Sequence, residues 1–187
     1  MKRLSVFVSG GGTNLQRIAE YFAESNNIVI DNVICNNPKA YAIQRAKNLN
    51  IPCRVITRDE FNSIELSRYL QERSIDLIVL AGFLWKIPDH LLQAFPNRIV
   101  NIHPALLPKY GGKGFYGERV HKAVVEAREK ESGITIHYVN ENYDEGTIIF
   151  QARVPLVEDE TPESLAAKIH QLEYEHFPVI IHELLKI

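Results

Sequence analysis

Cysteine, methionine and tryptophan are scarce in this 187-residue chain, which has two, one and one of them. The cysteines, Cys35 and Cys53, offer neither the ligand spacing of a structural zinc site nor a disulfide framework, and read as reduced thiols in or near a core. Basic residues are not in excess: 21 Lys and Arg face 23 Asp and Glu, for a formal net charge of −2, with no run dense enough to hold a phosphate backbone. Nucleic acid is therefore not an expected partner. No apolar run is long enough to cross a bilayer, and Met1-Lys2-Arg3-Leu4 leads into a strand without the apolar stretch of a signal peptide. Internal repeats and low-complexity linkers are also missing. The expectation is one cytoplasmic domain over residues 1–187, acting on small molecules, away from membranes, with monomer and homodimer both open.

What is present is an alternation. A hydrophobic content of 45% suits a globular protein. Strand-like runs at 4–8, 28–35, 53–56, 75–81 and 99–103 are separated by helical patterns at 13–24, 41–49, 59–73 and 88–95. The run Ile75-Asp76-Leu77-Ile78-Val79-Leu80-Ala81 is almost continuously apolar, as a parallel strand covered by helices on both faces would be. Strands alternating with helices predict an α/β fold with a doubly wound, mostly parallel sheet. Further on, a helix at 118–130 and strands at 134–139 and 147–154 precede a long helical pattern at 162–185. Thr161 is its N-cap, and Pro178 is expected to kink or interrupt it.

Three places carry chemistry. Ser9-Gly10-Gly11-Gly12-Thr13-Asn14-Leu15 joins the first strand to the first helix, where glycines let a ligand approach and a helix N-terminus offers free N–H groups, an arrangement suited to phosphate. A dinucleotide fingerprint would need glycine at Leu15 and an acidic residue near Cys35-Asn36-Asn37, so NAD is not expected. A ligand-free tight turn is the plainer alternative. In Asn101-Ile102-His103-Pro104, strand alternation puts the amide and the imidazole on one face. Asn can donate to an oxygen gaining charge and His can move a proton, a pair suited to acyl transfer; a strand-end His bonded to backbone is the alternative. The turn Asn142-Tyr143-Asp144-Glu145-Gly146 could bring Asp144 to His103 and raise its pKa, or be a turn and nothing more. Ala81-Gly82-Phe83-Leu84-Trp85-Lys86-Ile87 follows the most apolar strand, and its Gly, Phe and Trp could line a flat aromatic-ligand pocket or pack as core. Glu173, with His170 and His176 three residues to either side, reads as a solvated helix face before it reads as a metal site.

Taken together, Ser-Gly-Gly-Gly-Thr-Asn-Leu at the start, Leu-Ala-Gly-Phe at 80–83, Asn-Ile-His-Pro-Ala-Leu-Leu-Pro-Lys-Tyr at 101–110 and Tyr-Asp-Glu-Gly at 143–146 resemble the glycinamide ribonucleotide formyltransferases, in order and over essentially the whole chain. The resemblance implies a Rossmann-like formyltransferase fold and a purine-biosynthetic reaction. Its formyl donor would be 10-formyltetrahydrofolate as co-substrate, without metal. It implies Asn101 as oxyanion donor, His103 as general acid/base and Asp144 as the group tuning His103. Gly12, Thr13, Asn14 and Glu173 would hold the ribonucleotide, Glu173 at its amine. Leu84, Trp85, Lys86, Ile87, Val139, Asn140 and Glu141 would border the folate. The chain departs from the commonest form in its longer, glycine-rich segment at 111–117, in Trp85-Lys86, in Glu145 after Asp144 and in Ile64. A nucleotide-binding module without catalysis is the alternative from another class; it predicts ligand binding that does not depend on His103.

Overall fold

The computed structural model describes residues 1–186. Along the chain run β1 (Lys2–Val8), α1 (Thr13–Phe22), β2 (Ile28–Cys35), α2 (Tyr41–Asn48), β3 (Cys53–Val55), α3 (Arg58–Asn62), α4 (Ile64–Glu72) and β4 (Leu77–Leu80). They are followed by α5 (Asp89–Ala94), β5 (Ile99–His103), α6 (Glu118–Glu126), β6 (Glu131–Tyr138), β7 (Ile148–Pro155) and α7 (Pro162–Leu185). The strands form one seven-stranded sheet in the order β3-β2-β1-β4-β5-β6-β7. The first five are parallel, and β6 and β7 pair antiparallel beyond them. This is the expected doubly wound α/β architecture. The order reverses between β1 and β4, where a crevice opens beyond the carboxyl ends of the strands.

Local sequence explains the layers. All four residues of β4 are buried, because helices cover both faces of the sheet. Leu15, Ile18 and Phe22 form one buried stripe on α1, at the spacing a helix needs to seat on a sheet. One core lies under α1, α2, α6 and α7 around Leu4, Val6, Val79 and Val100. The other lies under α4 and α5 around Phe7, Phe61, Ile78 and Leu91.

Two helix expectations are corrected. The span 59–73 is not one helix: Ser63 adopts an extended ψ of 139°, ends α3 and caps α4 by accepting from the Glu65 N–H. Thr57 and Glu60 form a reciprocal capping box before α3, so each piece has its own start. Conversely, Pro178 does not interrupt α7, which runs 24 residues. Pro178 is buried beside Phe177, Ile180 and Ile181, and that packing offsets the hydrogen bond a helical proline forgoes. Among the described residues no helix is long and apolar enough to cross a membrane.

Candidate active site

A cavity of about 700 Å³ lies over the crevice, walled by the loops after β1, β4 and β5 and roofed by residues 112–117. Residues from α6, α7 and the β6–β7 turn complete it.

Gly10 to Asn14 form one wall. Gly12 is the N-cap of α1 and takes the left-handed conformation, φ +73°. A Cβ there would lie 2.7 Å from the Ala42 Cβ, so glycine is required both by conformation and by space. The first turn of α1 behind it presents N–H groups without intrahelical partners and the positive end of the helix dipole. Gly12→Ala should therefore cost roughly 1–2 kcal/mol in backbone strain alone. A lower melting temperature and weaker binding of a phosphorylated ligand are the expected readouts, and a variant matching wild type in both would contradict this account of the turn.

Asn14 and Glu173 meet inside the cavity. Asn14 Nδ2 donates to Glu173 Oε2 at 3.0 Å, joining the start of α1 to the middle of α7. Asn14 Oδ1 is buried without a partner, a polar atom left for a ligand. Glu173 is 7% exposed, and burial pushes its carboxyl up to about 7 against the opposing Asn14 bond. The native state thus holds a proton that the unfolded state, with a carboxyl near 4.5, releases earlier. The associated stability is complete below pH 4.5 and is lost as pH rises toward 7. Relative to Glu173→Gln, the wild type should lose on the order of 3 kcal/mol across that window. Denaturant melts of both proteins at a series of pH values test this; a difference that stays constant with pH would refute it.

Asn101 and His103, two residues apart at the end of β5, both face the cavity, and Asp144 stands across from them. Asp144 Oδ2 lies 3.5 Å from His103 Nδ1 and accepts the Gly112 N–H at 2.9 Å. The other His103 nitrogen, Nε2, donates to the Tyr110 carbonyl at 2.7 Å. The ring is therefore held between a carboxylate and the loop that roofs the site. Asp144 and the Tyr110 carbonyl raise its pKa as the sequence suggests, but burial, at 3% exposure, lowers it more. The net shift is downward, which corrects the expected rise: the imidazole is poised as a neutral base. For Asp144, burial works upward, but the nearby His137 and His103 and the Gly112 N–H together hold it below the usual carboxylate range.

His137 is the residue that sequence reasoning missed. It pairs with Asn101 across the antiparallel β5–β6 ladder. Its Nδ1–H donates to the Tyr138 carbonyl at 2.8 Å, leaving Nε2 to accept from Asn101 Nδ2 at 3.1 Å. His137 Nε2 is also 3.7 Å from Asp144 Oδ1, so Asp144 lies between two imidazoles. One amide proton of Asn101 is thereby fixed, and the second remains for a ligand oxygen. The alternation Ile134-Thr135-Ile136-His137 was a signal, since it places two polar residues on one face of a buried strand.

Of the other expected site residues, Gly12, Thr13, Asn14, Glu173 and Leu84 line the cavity. Trp85, Lys86, Ile87, Val139, Asn140 and Glu141 lie outside that lining. Ile87 is packed in the core, and Trp85 is part-buried against Phe61 and Phe83 with Arg58 3.9 Å over its ring. The Leu84 N–H is already taken by Ser9 Oγ at 3.0 Å. His121 lines the cavity from α6, buried with Nδ1 unpartnered. Burial, with His170 and His103 nearby, pushes it down to about 4. His176 takes no part and packs on Phe150.

An amide donor fixed by a neighbouring imidazole, an imidazole beside a carboxylate, and a glycine-rich helix start share one cavity on a doubly wound sheet, an arrangement that can serve acyl transfer. The comparisons narrow that class. Residues 2–181 match the family model described as formyl transferase. The chain is 40% identical to a phosphoribosylglycinamide formyltransferase of Haemophilus influenzae, covering 97% of this chain and 86% of the relative. It is 35% identical to the Bacillus subtilis enzyme of that name, over 99% and 95%. In structure it is similar to glycinamide ribonucleotide transformylase 1 from Geobacillus kaustophilus, with a TM-score of 0.89, 39% identity and 99% coverage of each chain. The chain belongs to the phosphoribosylglycinamide formyltransferase family.

Proposed function

We propose that this chain transfers a formyl group from 10-formyltetrahydrofolate to the amine of glycinamide ribonucleotide. Its homologues in Haemophilus influenzae and Bacillus subtilis are named phosphoribosylglycinamide formyltransferase, and membership of that family supports a folate-type formyl donor. The observation that carries the residue assignment is the meeting of Asn101, His103 and Asp144 in the cavity that also holds the glycine-rich turn.

The amine nitrogen attacks the formyl carbon, the carbonyl pair moves to oxygen, and a tetrahedral intermediate forms. The free Asn101 N–H donates to that oxygen, and His137 keeps the amide turned the right way. The nitrogen of the attacking amine becomes positive and gives up a proton, while the folate nitrogen must take one to leave. His103 carries that proton. In the structure its Nε2 is engaged by the Tyr110 carbonyl, so the loop has to yield this bond before the imidazole can serve. Asp144 supports the imidazolium that then forms. Gly12, Thr13 and Asn14 hold the phosphate, and Glu173 with Asn14 faces the rest of the ribonucleotide. Leu84 borders the donor, with Trp85, Lys86, Val139, Asn140 and Glu141 on its outer approach and Ile87 in the core beneath them.

A single-turnover reaction with donor labelled in the formyl carbon tests direct transfer. The label should appear on the amine nitrogen of the ribonucleotide, with none bound covalently to the protein. A formylated protein that forms and decays at the rate of turnover would contradict direct attack.

A further inference from the structure

The charge of the cavity wall is unbalanced for the substrate it is read as taking. Asp144 lines it as a carboxylate and Glu173 as a carboxyl that burial pushes up to about 7, against a single lysine, Lys113, and no arginine. The glycine-rich turn offers neutral N–H groups and the half charge of a helix end. A phosphate monoester brings about −1.5 to −2 at neutral pH. The histidines in the lining do not fill the gap: burial lowers His103 and pushes His121 down to about 4, and the surrounding protein lowers His170.

Nearby arginines are committed elsewhere. Arg45 approaches the turn from outside the cavity, with Nε on the Gly11 carbonyl at 2.8 Å and its guanidinium 5.0 Å over the Tyr41 ring. Arg17 pairs with Glu20 at 2.9 Å. Lys113 is different. It is exposed, it is the one lysine in the cavity lining, and among the described residues its ammonium has no ion-pair partner. It stands between Gly112 and Gly114, at φ +95° and +93°, on a segment anchored at its base by the Gly112–Asp144 bond. A lysine is also the side chain suited to a phosphate as a compact point charge on a flexible stem.

We propose that Lys113 is the cationic contact for the phosphate of the ribonucleotide, delivered across the cavity by its glycine-flanked loop. The proposal rests on the ribonucleotide being the substrate. It makes Lys113 a binding residue that tells the phosphorylated substrate from its dephosphorylated form.

The test is titration calorimetry with one ligand at a time, using glycinamide ribonucleotide, its dephosphorylated form and a folate analogue on wild type, Lys113→Ala and Lys113→Arg. Lys113→Ala should weaken the ribonucleotide about tenfold, equivalent to about 1.4 kcal/mol, and leave the dephosphorylated form unchanged. Lys113→Arg should retain most of the affinity, and added salt should weaken wild type more than Lys113→Ala. Equal binding of the ribonucleotide by wild type and Lys113→Ala would overturn the proposal, as would equal loss for both ligands. So would a loss confined to a folate analogue, which would give Lys113 to the donor's carboxylates. Wild-type protein that fails to distinguish the two ribonucleotide forms would remove the ribonucleotide reading itself; a failure confined to the Lys113 variants would leave that reading standing.

Discussion

Asn101→Ala should lower turnover by about 100- to 1,000-fold, the usual cost of removing one oxyanion donor. The fold should survive, because Asn101 is only part-buried at the end of β5 and the strand's backbone pairing does not use its side chain. His137 Nε2 loses its Asn101 partner in the variant, a modest cost beside a cavity that water can enter. Steady-state kinetics at saturating substrates, with a thermal melt as control, check both halves. Turnover near that of wild type would remove Asn101 from the chemistry. Unfolding would mark it as structural.

His103→Ala should cost about 100- to 10,000-fold, the range of general acid–base help. The pH dependence separates catalysis from packing. Burial lowers the imidazole below its ordinary value, so turnover should climb with pH through a limb below 6.5 and then level off. Asp144 raises that same imidazole, so Asp144→Asn should displace the limb to still lower pH as well as reduce the plateau. A limb above 6.5 in wild type, or one that Asp144→Asn leaves in place, would contradict the coupling. The bond from His103 Nε2 to the Tyr110 carbonyl also ties the proton carrier to the loop, so loop opening and proton transfer should be linked.

Much of the fold was legible because its signals are local. The unbroken apolar run that becomes β4 announced a strand buried on both faces, and the Gly10-Gly11-Gly12 turn announced the start of α1. Helix breaks were harder. Ser63 ends one helix and caps the next through its own backbone torsion, which an apolar periodicity running through positions 61, 66 and 70 conceals. Pro178 does not interrupt α7 for the opposite reason: the helix is held by packing against α1, α6 and the β6–β7 strands, which are far away in sequence.

The site divides along the same line. Asn101 and His103 could be paired from strand alternation alone, since they are two residues apart. His137 could not be joined to them, because its partnership depends on the register of β5 on β6, 36 positions away. The sign of the His103 shift was misjudged because a carboxylate neighbour is visible as a motif, whereas desolvation depends on everything packed around the ring. Glu173 shows the same blindness: a residue that reads as one face of a solvated helix is nine-tenths buried and bonded to Asn14.

The account stands or falls on one assay: consumption of 10-formyltetrahydrofolate by the wild-type protein with and without glycinamide ribonucleotide. It predicts consumption only when the ribonucleotide is present, matched one for one by formylated product. Donor loss at the same rate without the ribonucleotide would make the protein a hydrolase. No donor loss in either condition would leave a nucleotide-binding module, and either result would contradict formyl transfer at this site.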